Sequence, residues 1–179
     1  METSRRFGMY SWAERRIFQM LGGWAADGSN ARLTVMLDDH SRRHWWHSTV
    51  WFDRLPELSN VDAEGLVQPP SVEFAAMLDE VAALTGPLDR LTAGYQVLIT
   101  QLTAAYSREL TRLDSVGNPS ARHWLGFILR NLSQELGEAQ PEVDRAILND
   151  EDRDRAEGVR RAFEEELAAL GGLDAFAPK

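Results

Sequence analysis

Asp38-Asp39-His40-Ser41-Arg42-Arg43-His44-Trp45-Trp46-His47 holds three of the four histidines of this chain, and its periodicity decides how the rest is read. An α-helix turns about 100° per residue, so positions 40, 44 and 47 share one face. Leu33, Leu37 and Trp51 project from that same face. In a helical globular protein this face points into the core, so the three imidazoles are expected to point inward with it. A single inward histidine is usually just hydrogen-bonded in place. Three in a row point to metal or proton chemistry as readily as to that role.

Working outward from the histidines, Asn30 is a good N-cap for their helix, which is expected to run to about Leu55 before Pro56. Upstream, residues 1–9 read as a short arm. Ser11 followed by Glu14 fits a capping box, and Ile17, Leu21 and Trp24 then recur at helical spacing to about Ala26. Asp27-Gly28-Ser29-Asn30 is the turn, short enough to make the first two helices antiparallel neighbours.

Downstream, residues 56–71 read as a crossover loop. A short helix is expected from Ser71 to Leu84 with Phe74, Met77, Leu78 and Val81 inward. A long one follows from Pro87 to Leu113, with Leu88, Leu91, Tyr95, Leu98, Leu102, Tyr106 and Leu113 on one face. Gly117-Asn118-Pro119 starts a fourth helix, with Asn118 as N-cap, that reaches about Gln140 before Pro141 bends or ends it. A short stretch from Glu142 to Leu148 and a final helix from Asp150 to Leu170 complete the chain. No strand pattern or internal repeat stands out. The expectation is an all-α protein of one domain, residues 1–179: an antiparallel four-helix bundle core at about 10–140, with a short crossover helix and a C-terminal accessory extension at about 141–172.

Composition narrows the function. A formal net charge of −9, with arginines interleaved among acids and Lys179 as the only lysine, argues against a nucleic-acid partner. With no cysteine there is no disulfide framework, thiolate metal site or cysteine nucleophile. No run of about 18 apolar residues and no N-terminal apolar signal core is present, so no membrane partner is expected and the location expected is cytoplasmic.

Ionisable residues that share the apolar stripe of their helix are the site candidates, because an unpaired buried carboxylate is costly. Glu14 lies about 40° from the centre of the Tyr10, Ile17, Leu21 and Trp24 stripe. Its bland role is the capping-box glutamate. Glu109 falls in register with Tyr95, Leu102 and Leu113, and an ion pair with Arg108 or Arg112 would account for it equally well. Glu135 and Glu138 read as flank acids, His123 as a surface residue, and Trp45 and Trp46 as packing or interface residues.

Four antiparallel helices carrying Glu14, then His44-x-x-His47, then Glu109, then Glu135-x-x-Glu138 resemble the ferritin-like superfamily, which includes rubrerythrins and bacterial di-iron hydroxylases. That pattern is one Glu, a Glu-x-x-His, one Glu and a second Glu-x-x-His on successive helices. The resemblance covers roughly residues 10 to 140. It implies Glu14, His44, His47, Glu109, Glu135 and Glu138 as metal ligands, with His40 as an extra ligand or outer donor. Two positions depart from it: His44 stands where the family has a bridging glutamate, and Glu138 where it has a histidine. Carboxylates bridge two ions readily, whereas a neutral imidazole nitrogen binds one. A single Fe, Mn or Zn ion, an altered two-metal site, and no metal at all stay open. A weaker resemblance is to the bundles related to damage-inducible DinB proteins, through His40-x-x-x-His44.

If the chain is an enzyme, the resemblance implies O₂-dependent oxidation or hydroxylation of a small-molecule substrate, with Tyr95 or Tyr106 near the reacting centre. The competing expectation is a non-catalytic bundle for assembly or partner binding, its histidine row a buried polar network. Homodimer formation through exposed aromatic or leucine-rich helix faces suits either.

Overall fold

Helix α1 spans Glu2–Ala26 and so begins well upstream of the start expected at Ser11. The computed structural model describes residues 2–28, 30–56, 62–113 and 118–172, and among these the secondary structure is entirely helical. Ser29 and Gly117, both read as turn residues, lie outside them.

The expected arm at residues 1–9 is therefore corrected to helix, and the reason is burial. Phe7, Met9 and Tyr10 are all withdrawn from solvent. Gly8 lets a 3₁₀ helix (Glu64–Leu66) close directly onto α1, since a Cβ there would fall 2.0 Å from the Leu66 carbonyl oxygen. Arg15 pairs with Glu64 across the same contact. No helix start exists at Ser11, so the capping box does not form and Glu14 is left in the helix interior.

Helix α2 (Ala31–Phe52) begins where expected. The Asn30 side chain accepts hydrogen bonds from the backbone N–H groups of Arg32 and Leu33, at 3.0 and 3.3 Å. These satisfy two of the donors that a helix N-terminus leaves without intrahelical partners. Asn30→Ala is accordingly expected to cost about 1 kcal/mol of stability. Urea unfolding would show it as a lower midpoint at unchanged slope.

The described residues divide into two compact units, with the boundary between Leu78 and Asp79. In the first, α1 packs lengthwise on α2. Trp51, fully buried, lies against Phe7 and Tyr10 with ring centroids 5.1 and 5.2 Å apart. An aromatic of this size removes some 150–250 Å² from water, roughly 4–6 kcal/mol at the usual coefficient. Helix α3 (Val72–Ala82) starts in the first unit, where Phe74 meets Trp12 edge to face. Its expected inward residues Phe74, Met77, Leu78 and Val81 are all buried.

In the second unit, α4 (Pro87–Leu91), a π-helix (Thr92–Ile99) and α5 (Thr100–Arg112) follow one another without a break. All seven residues expected on the inner face are buried. The π-helical stretch, with hydrogen bonds from i to i+5, has no counterpart in the sequence expectation. Helix α6 (Pro119–Ala146) continues past Pro141, so of the bend or end expected there the end is corrected. Proline removes one N–H donor but leaves the buried face intact, and Ala139 and Val143 on either side are each 1% exposed. Asn118 stands at the N-cap position without a side-chain capping bond. Helix α7 (Asp150–Ala169) is capped by Asn149, and its Arg155 grips Asp89 in a bidentate pair at 2.8 and 2.7 Å.

Candidate metal centre

Register along the α1/α2 seam brings the first-helix carboxylate to the histidine row. Tyr10 lies against Trp51 with its ring tilted, and in an antiparallel pair one helical turn further on matches residue 14 with residue 47. The structure completes this placement. His44 Nδ1 donates to Glu14 Oε2 at 2.5 Å, and His47 Nδ1 lies 3.4 Å from the same oxygen. One ligand atom from each of the three lies within 4.8 Å of the others, and all three side chains are 0% exposed. The two imidazoles meet nearly at right angles, with ring centroids 5.5 Å apart.

These distances can be set against what a metal ion requires. With ligand bonds of about 2.1 Å, neighbouring donor atoms sit about 3.4 Å apart in tetrahedral and about 3.0 Å apart in octahedral geometry. The Glu14–His47 separation already has that value. The Glu14–His44 contact would open by about half an ångström or more, and its present length is that of a charge-assisted hydrogen bond. Two neutral imidazoles and one carboxylate form a donor set used by Zn(II) hydrolases and non-haem Fe(II) proteins, both of which leave coordination positions open. The three residues could therefore hold a metal ion.

The electrostatics of the group rest on Glu14. Burial is the largest single influence on its carboxyl and would raise its pKa. The charges of His47 and His44 and their hydrogen bonds together outweigh burial, and they lower it from 4.5 to about 2. Glu14 is thus an anion across the ordinary pH range, held in a site with no solvent contact.

The other expected site residues fall as follows. His40, fully buried, lies one turn before His44 and is not a member of the three-ligand group. In the second unit Glu109 and Glu135 are 1% and 0% exposed, so the flank position expected for Glu135 is corrected to a core position. Arg122 donates to the carbonyls of Leu110 and Leu113, which places the start of α6 beside the end of α5. Glu135 is then about 20 Å further along α6, so Glu109 and Glu135 occupy different levels of the helix pair, too far apart to share one ion. Glu138 is exposed and accepts a hydrogen bond from Gln134 at 2.7 Å. Tyr95 and Tyr106 are buried at 1% and 0%, and His123 is exposed as expected.

No family model, curated protein or solved structure matches this chain. The site must therefore speak through its own chemistry. Trp46, expected as a packing or interface residue, is 37% exposed and meets the His47 ring edge-on at 5.5 Å. One feature around the site went unread in the sequence: Ser41 and Ser48, together with Ser11 of the expected capping box, are buried along the same seam, and nothing in their spacing marks that burial.

Proposed function

We propose that this chain is a metal-binding helical protein on a ferritin-like scaffold, with one divalent transition-metal ion held by Glu14, His44 and His47. The observation that carries the proposal is the convergence of a carboxylate and two imidazoles in a group with no solvent exposure. Burying an anion is expensive unless it is paired or metal-bound, and one carboxylate facing two imidazoles suits both. Glu109 and Glu135 are inward carboxylates on the helices where the resemblance asks for them, but at levels too far apart to join one ion, so the proposed site rests on Glu14, His44 and His47 alone.

For the chemistry, we propose O₂-dependent oxidation of a small organic substrate, with iron as the ion. A two-histidine, one-carboxylate set leaves coordination positions open, and bound iron would supply oxygen activation there. Glu14 brings the one fixed negative charge and His44 and His47 the neutral nitrogens. The dry surroundings strengthen each of these interactions.

A second function rests on the 2.5 Å Glu14–His44 contact, which is complete without an ion. In that case the group is a buried hydrogen-bond network in a non-catalytic assembly protein. Elemental analysis of protein purified without added metal, followed by Fe(II), Zn(II) and Co(II) titration, separates the two. The metal proposal expects uptake approaching one equivalent per chain. Less than about a tenth of an equivalent, with no uptake on titration, would leave the network alone standing.

A further inference from the structure

Two hydroxyl contacts cross the α1/α2 seam in opposite senses. Ser11 Oγ on α1 donates to the Ser48 carbonyl on α2 at 3.0 Å. Ser41 Oγ on α2 donates to the Phe18 carbonyl on α1, also at 3.0 Å. Both carbonyls lie within helices, so each hydroxyl uses a second lone pair and completes no helix end. Ser11, Ser41 and Ser48 are 0%, 3% and 1% exposed.

Their placement brackets the Glu14 group. On α1, Glu14 lies between Ser11 and Phe18; on α2, His44 and His47 lie between Ser41 and Ser48. The same two contacts therefore close the seam just before and just after all three ligands. Gly22 belongs to this arrangement, because a Cβ there would come within 3.1 Å of Ser41 Oγ.

Apolar packing is non-directional, and it fixes which faces meet more firmly than it fixes an axial position. A hydrogen bond has a working range of about half an ångström. A metal site needs its ligands held to about the same tolerance. We infer that Ser11 and Ser41 are positioning residues, pinning α1 to α2 at the register where one Glu14 oxygen reaches both imidazoles. The inference rests on the metal proposal for its purpose, while the geometry it describes exists without an ion.

The test uses the full chain, with Ser11→Ala/Ser41→Ala and, separately, Gly22→Ala. Co(II) alone is the probe. Affinity is read by competition titration, ligand geometry by the visible d–d absorption, and stability by the Tm of metal-free protein. The double variant is expected to bind Co(II) about tenfold more weakly, with an altered d–d spectrum. Gly22→Ala is expected to weaken binding without lowering Tm, because alanine is the better helix former. Unchanged affinity and spectrum in both variants, even with a lowered Tm, would overturn the assignment and leave the serines as ordinary packing residues.

Should wild-type protein take up no Co(II), the metal proposal falls and the pinning is judged on metal-free protein. The imidazole ¹⁵N resonances of His44 and His47 then report the Glu14 contact. Shifted resonances in the double variant support the pinning, and resonances identical to wild type overturn it.

Discussion

Replacing His44 and His47 together by alanine is expected to abolish stoichiometric Fe(II) or Co(II) uptake and to destabilise the metal-free protein by about 3–5 kcal/mol. The first effect follows from removing two of three ligands. The second has a separate cause. Both imidazoles face Glu14 Oε2, and the site has no solvent contact. Truncating them strands a carboxylate that water cannot reach, and breaking a buried charge pair from one side costs far more than removing both partners.

Adding Glu14→Met to the double variant removes the stranded charge, and is expected to recover about 2 kcal/mol or more of the loss. Far-UV circular dichroism should stay close to wild type in the triple variant, because Tyr10, Leu21, Trp24 and Trp51 hold the seam at other levels. Metal content unchanged in the double variant would place the ion elsewhere. A triple variant no more stable than the double would show that cavity formation, and not charge, dominates the loss.

The parts of this site that the sequence disclosed are those governed by helical period. His40, His44 and His47 share a face with Leu33, Leu37 and Trp51 for purely geometric reasons, and the three histidines are indeed fully buried. The Asn30 cap and the Pro87 start follow from local backbone chemistry and appear where expected. Glu14 was legible as an inward residue but ambiguous in role. A capping box and a core carboxylate share one local pattern, and only the burial of Phe7, Met9 and Tyr10 decides between them. Pro141 shows the same limit. Its local preference is to break a helix, and the buried face on both sides of it prevails. The pairing of Ser11 with Ser48, and the separation of Glu109 from Glu135 along α5 and α6, are properties of helix register. Register is set by contacts between residues far apart in sequence, which no local pattern carries.

Glu14→Gln is expected to lower stability near neutral pH by about 3 kcal/mol, and this difference from wild type should vanish in acid. The carboxyl pKa is lowered in the folded protein from 4.5 to about 2, against the pull of its own burial, by the charges and hydrogen bonds of His47 and His44. A depressed folded-state pKa means that the unfolded chain binds its proton first as pH falls. The stabilisation is therefore complete above about pH 5 and drains away between about pH 4.5 and pH 2. Glutamine keeps the shape and an acceptor oxygen but has no charge to lose, so its own stability carries no such step. With 28 acidic residues in the chain, many other carboxylates titrate in the same range. Taking the difference between the two proteins cancels their contribution. Urea unfolding of both metal-free proteins at intervals from about pH 6 down to the lowest pH at which they fold would measure it. Convergence of the two curves identifies Glu14 as the ionised centre of the group. A difference that stayed constant over that range would mean that the Glu14 carboxyl titrates alike in the folded and unfolded chains, and one that grew as pH fell would mean that it is held as a neutral acid; either would overturn the charge-assisted picture of the site.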